Sequence, residues 1–305
     1  MSDLEIPRLI LGTAQFGSDY GIANQTGKPS YHVLKSIIAT AFDFGITTLD
    51  TAAGYGSEQV LGKILEELGL RERALVATKI YPLEDRPKKS NQTPDLFIRN
   101  SVKSSLRNLG LETLHLCLFH RVEDLRFLDT LLELRGKGLV QHIGVSVYTP
   151  EQALHALSIP AIEVIQHPTS VLDQRFLRQG VLGRALDQGV FLFARSLYLQ
   201  GLVVLSPEKI PGALSPVIPV LIQITDWARR LHISKLELCL RFGLSLKGVA
   251  GVVVGMETLD QVQENMRIFQ KGPLDQSILE EIHREIPDLP KSVLHPNQWP
   301  ITSTL

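Results

Sequence analysis

The chain has 305 residues, 44% of them hydrophobic and 21% charged, with 31 basic residues set against 32 acidic ones. A formal charge of −1 excludes recognition of nucleic acid or of an acidic membrane surface by bulk electrostatics. A chain of this length buries most of its apolar surface, so its core needs no disulfide or metal staple.

Short apolar runs rich in β-branched residues alternate along the chain with longer amphipathic stretches, the pattern of buried parallel strands joined by helices. In chain order the predicted strands are residues 8–12, 46–50, 75–79, 114–120, 142–146, 163–166, 190–194 and 251–254. Ser57 reads as the N-cap of a helix whose apolar face is Val60, Leu61, Ile64, Leu65 and Leu68. Pro94 and Asp95 open another, carrying Ile98, Val102, Leu106 and Leu109, with Gly110 at its C-terminal end. Residues 123–135, 150–157 and 259–269 repeat the helical spacing. The first strand runs into Leu11-Gly12-Thr13-Ala14-Gln15-Phe16-Gly17, with no Gly-x-Gly-x-x-Gly opening a helix. That counts against a doubly wound dinucleotide domain. Eight strand–helix units instead predict a single-domain α/β fold, a (β/α)8 TIM barrel over residues 1–305. A lid loop is expected around 197–219, and a tail lying over the barrel at 289–305.

Cys117 and Cys239 sit far apart in apolar runs and read as buried thiols. His115 and Cys117 supply too few ligands for zinc, so no metal site is expected. The N-terminus lacks the basic start and apolar stretch of a signal peptide, and no apolar run is long enough to span a bilayer. A cytoplasmic protein with neither a membrane nor a nucleic-acid partner is expected.

In such barrels the chemistry gathers at the C-terminal ends of the strands. Those ends are polar here: Asp50, Lys79, His120, Ser146 and Gln166 close the second to sixth predicted strands, and Tyr55 follows in the loop after the second. A lone strand-end Asp or Lys is commonly a structural ion pair, but several such groups at one mouth point to a functional cluster. A free phenol, with a pKa of about 10, is a poor acid at neutral pH. An ammonium at Lys79, held by Asp50, is expected to make Tyr55 more acidic, with His120 bonding the same developing oxyanion. Protonating a carbonyl oxygen is useful when a nucleophile reaches the carbon, and a hydride from a bound cofactor fits that need.

The stretch Leu49-Asp50-Thr51-Ala52-Ala53-Gly54-Tyr55-Gly56-Ser57-Glu58 resembles the Asp-Thr-Ala-x-x-Tyr-Gly-x-Glu signature of the aldo-keto reductase superfamily. Thr78-Lys79, the run ending in His120, Ile143-Gly144-Val145-Ser146, Ile165-Gln166 and Glu264-Asn265 are similar to later signatures in the family's order. The resemblance implies an NAD(P)H-dependent oxidoreductase that reduces an aldehyde or ketone, its small-molecule carbonyl substrate, to the alcohol. Asp50, Tyr55, Lys79 and His120 are the implied catalytic residues, with Tyr55 as general acid. The implied cofactor residues are Gly12, Thr13, Asp50, Ser146, Gln166, Arg195, Ser196, Leu197, Gln200, Gly201, Gly255, Met256, Gln261, Glu264 and Asn265. Ser146 and Gln166 would hold the nicotinamide amide, the loop from Arg195 to Gly201 would pass over the nicotinamide and diphosphate, and Glu264 and Asn265 would lie at the adenine end.

Three departures bear on function. Many relatives stack a tyrosine on the nicotinamide where this chain offers Arg195, which stacks in the same way or pairs with a neighbouring acid. The segment from Val254 to Gln261 lacks a basic grip for a 2′-phosphate and carries Glu257 and Asp260. NADP(H) stands slightly ahead of NAD(H) on the family's habit, while these acids favour free ribose hydroxyls. The polar loop from Gly17 to Asn24 resembles a bacterial branch associated with surface-sugar or nucleotide-sugar metabolism, which makes a sugar aldehyde or keto-sugar a candidate substrate. Tyr20, Asn24, His120 and Trp299 are the candidate substrate contacts. The alternatives are a redox-sensing subunit that binds the cofactor without turnover, and a Schiff-base aldolase using Lys79.

Overall fold

Strands and helices alternate throughout the computed structural model, which describes residues 6–85 and 92–299. Strands β1 (Leu9–Gly12), β2 (Thr48–Asp50), β3 (Leu75–Ile80), β4 (Leu114–Phe119), β5 (Val140–Ser146), β6 (Val164–Pro168), β7 (Phe191–Arg195) and β8 (Val249–Gly255) pair in parallel in chain order, and β8 closes on β1. This is the (β/α)8 barrel read from the sequence. β5 starts earlier than its apolar run because the ladder from Val140 to Leu114 continues past polar Gln141 and His142. β6 runs on to Pro168 because His167 and Pro168 still pair with Ala194 and Arg195.

The connecting helices are α1 (Tyr31–Asp43), α2 (Glu58–Glu67), α3 (Pro94–Leu109), α4 (Leu128–Gly136), α5 (Pro150–Leu157), α6 (Val181–Gln188), α7 (Ile218–Arg230), α8 (Lys235–Ser245) and α9 (Leu259–Gln270), with α10 (Gln276–Glu285) beyond the barrel. Their limits follow local chemistry. The Thr93 hydroxyl accepts from the Leu96 N–H and Pro94 fixes the first turn of α3, which ends at Gly110 with φ of 69°. Thr149 and Gln152 form a reciprocal capping box at the start of α5. The helix expected over 123–135 starts as a 3-10 turn, Val122–Phe127, before α4. The expected lid loop is a chain of 3-10 turns, Leu199–Val204, Pro207–Lys209 and Gly212–Val217, leading into α7. The tail forms a short helix, Lys291–Leu294, and Trp299 packs into the core while its indole N–H donates to the Val293 carbonyl at 3.0 Å. Residues 300–305 of the expected tail lie outside the described residues.

Strand alternation divides the apolar side chains into two layers. Ile10, Ala77, Leu116, Leu118, Val164 and Phe193 fill the barrel, while the larger cluster lies between barrel and helices. Residues two positions further along the inward columns therefore emerge at the barrel mouth.

Helices α2 and α3 touch backbone to backbone at Gly62. A β-carbon there would sit 2.2 Å from the Asn108 carbonyl oxygen, whereas one at Gly183 in α6 would meet nothing. Gly62→Ala is expected to lose roughly 1–3 kcal/mol of stability by overpacking, and Gly183→Ala to gain about 0.5–1 kcal/mol. Urea unfolding monitored by circular dichroism measures both.

Candidate active site

The inward columns of the barrel end in polar groups. Leu75 and Ala77 lead to Lys79 on β3, Leu116 and Leu118 to His120 just past β4, Val164 to Gln166 on β6, and Phe191 and Phe193 to Arg195 at the end of β7. Asp50 ends β2 and Ser146 ends β5, both buried. Tyr55 comes from the 3-10 turn Ala53–Tyr55 immediately after β2.

Lys79 Nζ donates to Asp50 Oδ1 at 2.7 Å and to the Thr51 carbonyl at 2.9 Å. Gln166 Nε2 donates to the same Asp50 oxygen at 2.8 Å. The ammonium lies 5.1 Å from the centre of the Tyr55 ring, and that ring meets His120 edge-on with centres 5.8 Å apart. Asp50, Tyr55, Lys79, His120 and Gln166 thus converge, while Cys117 and Cys239 are buried free thiols.

A second layer secures the first. Thr13 donates its N–H and its hydroxyl to the Asp50 carbonyl. The Ser57 hydroxyl, expected to cap α2, instead lies 2.8 Å from the Thr51 hydroxyl and 3.3 Å from that of Thr13, and makes no cap bond. Glu58 is buried and accepts from the Thr78 hydroxyl and from Asn108. Gly17 fits the Tyr55 turn closely, since a β-carbon there would fall 1.6 Å from the Tyr55 carbonyl oxygen.

The electrostatics correct one expectation. Burial pushes the Tyr55 phenol up from its usual range, the Asp50 carboxylate adds to that, and Arg195 is the cation opposing it. Lys79, paired with Asp50, is not among the groups that lower the phenol. Burial pulls the Lys79 amine down, against the stabilising charge of Asp50. Burial, then Lys79, Arg195 and Arg121, hold the His120 imidazole neutral, its pKa brought down to about 3. His167 faces outward against Phe176, and burial, reinforced by Arg195, also brings it to about 3.

The remaining candidates divide by position. Gly12 and Gly255 pair at the ends of β1 and β8. Leu197 and Met256 are buried in the apolar core, so their side chains do not face the mouth as polar groups. Ser196, Leu199 and Gln200 all have positive φ, a strained stretch directly after β7. Gln200 donates to the Tyr20 hydroxyl at 3.3 Å, and a β-carbon at Gly201 would strike Ala23, so the loops after β1 and β7 are in contact. Burial, then Tyr55, pushes Tyr20 up to about 12, so its phenol belongs to the mouth. Asn24 is occupied by its own loop, bonding Thr26, Gly27 and Tyr20, and Trp299 is occupied by the tail, so neither has a free polar group for substrate. Gln261 caps α9 at Glu257, and Asn265 accepts from the Tyr198 hydroxyl at 2.7 Å while Glu264 lies beside the same tyrosine.

Sequence reasoning missed Tyr148. It lies two residues past the end of β5, its ring is 4.7 Å from the Arg195 guanidinium, and its phenol is among the groups coupled to Tyr20, Tyr55 and Lys79. An aromatic residue so close behind a catalytic-face strand was the available signal. Arg195 forms no ion pair with any described residue, so the expected pairing with a neighbouring acid is replaced by this stack.

Among the described residues, no helix is long and apolar enough to cross a membrane. Residues 8–285 match the Aldo/keto reductase family. The chain belongs to that family, whose members are oxidoreductases acting on carbonyl compounds and their alcohols. It is 25% identical to the L-glyceraldehyde 3-phosphate reductase of Escherichia coli O157:H7 over 94% of this chain and 91% of that one. It is 27% identical to an aldo-keto reductase of Bacillus subtilis over 66% of this chain and 61% of the relative. The holo form of a Bacillus halodurans aldo-keto reductase superposes with a TM-score of 0.78 at 23% identity, covering 96% and 97% of the two chains. Family members use nicotinamide cofactors. The site offers a group that fits one: the buried Gln166 Oε1 has no partner, and a carboxamide N–H would supply it.

Two outcomes test this geometry. Gly17→Ala is expected to displace the Tyr55 turn and lower carbonyl reduction by about 100-fold while the circular dichroism spectrum stays unchanged. His167, neutral in the fold and protonated in the unfolded chain between about pH 3 and 6.5, makes the unfolded state the better proton binder, so stability is lost as the pH is lowered through that window. Its share is about 2 kcal/mol between pH 7 and 5. His167→Gln should reduce the difference in urea midpoint between those two pH values by that share, leaving the part that His120 contributes.

Proposed function

We propose that this protein reduces an aldehyde or ketone to the alcohol with NAD(P)H, and that Tyr55 is the proton donor. The convergence of Tyr55, His120 and the buried Asp50–Lys79 pair at the mouth, beside the unpartnered oxygen of Gln166, carries this reading. When bound, the nicotinamide supplies the hydride that the carbonyl carbon accepts.

The chain's own residues do the rest. Tyr55 stays protonated throughout the physiological range because burial disfavours its anion. It therefore gives up its proton only as negative charge develops on the carbonyl oxygen, which is when a general acid is needed. Neutral His120 orients that oxygen against the phenol. Lys79 and Asp50 hold the floor of the pocket and orient Gln166. Ser146 and Gln166 receive the nicotinamide amide. The loop of Arg195, Ser196, Leu197, Gln200 and Gly201 covers the nicotinamide and diphosphate, and Gly12, Thr13 and Asp50 line the opposite side. Gly255, Met256, Gln261, Glu264 and Asn265 border the adenosine. With its ammonium engaged by Asp50 and Thr51, Lys79 is poorly disposed to form a Schiff base.

NADP(H) is slightly favoured over NAD(H) on the family's habit, against the acidic Glu257 and Asp260. A polar substrate such as a sugar aldehyde or keto-sugar suits a mouth bordered by Tyr20, Tyr148 and Arg195, and the Escherichia coli relative is named for a phosphorylated sugar aldehyde.

Tyr55→Phe is expected to cut kcat by about 1,000-fold or more while leaving the cofactor Kd nearly unchanged, and Lys79→Met to behave in the same way. His120→Ala should raise KM as well as lower kcat. Steady-state reduction of aldehydes, ketones and keto-sugars with both cofactors measures these effects. Retention of most activity by Tyr55→Phe would assign the acid to another residue.

A further inference from the structure

Among the described residues, the cations Lys79 and Arg195 end inward columns of the barrel, and of these two Lys79 alone has a counter-ion. Lys79 has Asp50. Arg195 donates to the Val147 carbonyl at 3.1 Å and to the Ser196 hydroxyl at 3.3 Å, and it stacks on the Tyr148 ring. Those acceptors are uncharged, and no ion pair forms with any described residue.

The position of the guanidinium matters as much as its charge. Arg195 tops the inward column of β7, and its side chain reaches past the end of β6 to the residues that follow Ser146 on β5. Gln166 lies on the strand between them. A ring whose amide is held by Ser146 and Gln166 therefore lies next to this cation. The field of Arg195 reaches Tyr20, Tyr55, Lys79, His120 and His167. With Lys79 matched by Asp50 and the imidazoles neutral, Arg195 is the uncompensated positive charge among the described residues of the mouth.

We infer that Arg195 discriminates between the oxidation states of the cofactor, favouring the neutral reduced nicotinamide and disfavouring the oxidised ring with its positive charge. This rests on the cofactor site proposed above. Each turnover moves two electrons and a proton, as hydride, from ring to carbonyl carbon, while the Tyr55 proton goes to the oxygen. The ring is left cationic beside a guanidinium that has no counter-ion among the described residues. Repulsion between the two speeds release of the spent cofactor and biases the bound equilibrium toward alcohol. A tyrosine at this position would stack as well but carry no such bias. Arg195 is thus a specificity-determining residue for the cofactor's redox state.

Binding of NADPH and NADP+, and of NADH and NAD+, to the full chain without substrate tests the inference, with tryptophan fluorescence and calorimetry as readouts. The reduced form is expected to bind at least about tenfold more tightly, a ratio equal to about 1.4 kcal/mol. Arg195→Met should bring that ratio close to parity, and Arg195→Lys should keep most of it because the charge remains. A wild-type ratio at parity overturns the inference, as does an Arg195→Met variant that weakens both forms equally, for then the side chain only stacks. A ratio untouched by Arg195→Met, accompanied by lost discrimination between anionic and neutral aldehydes, would also overturn it and give the guanidinium to the substrate. If neither dinucleotide pair binds, the proposed cofactor site itself fails, a result distinct from binding at parity.

Discussion

An ammonium with 1% of its side chain exposed and a carboxylate with 6% exposed meet at 2.7 Å between β2 and β3, and the rest of the mouth is arranged around that pair. Neither charge could be buried alone, because removing one partner leaves the other desolvated and unmatched. The pair also needs its remaining hydrogen bonds answered. The Thr51 carbonyl and the Gln166 amide do this, so residues 116 positions apart in sequence are locked to one carboxylate oxygen. Thr13 then secures the Asp50 main chain, and Ser57 ties Thr13 to Thr51. The polar network is closed at its base and open only toward the mouth, where Gln166 Oε1 and His120 Nδ1 are left without partners.

The two cations at this site divide the electrostatic work. Lys79 is buried with its counter-ion and acts at a distance as a dipole, with little net charge to offer the phenol. Arg195 sits higher, less buried and without a counter-ion among the described residues, so its field is the cationic one that bears on the Tyr55 phenol, while at His120 it adds to that of Lys79. Burial outweighs both and keeps the phenol protonated. A lysine beside a tyrosine does not by itself make an acidic tyrosine; the counter-ion and the local polarity decide the sign.

Much of this was legible in the residues, for a definite reason. Parallel strands buried on both faces must be apolar, so a polar residue at the end of such a run marks the rim, as Asp50, Lys79, His120 and Ser146 do. The two-residue alternation adds direction, since Lys79 shares its face with Leu75 and Ala77 and must point inward. What stayed illegible depends on contacts between distant loops. Ser57 has the spacing of a helix cap but is captured by Thr51 and Thr13, which only the fold brings within reach. Asn24 looks like a substrate contact until its amide is seen bonding its own turn. Tyr148 follows an ordinary strand, and its importance comes from Arg195, 47 positions away.

The tight seat of Gly17 under the Tyr55 carbonyl has a consequence for how such a chain can diverge. A side chain at residue 17, or an insertion that shifts it, would unseat the proton donor, so drift in the first loop is confined to residues beyond that glycine. A change of substrate range that keeps this seat therefore falls on the outer part of that loop or on the other loops around the rim.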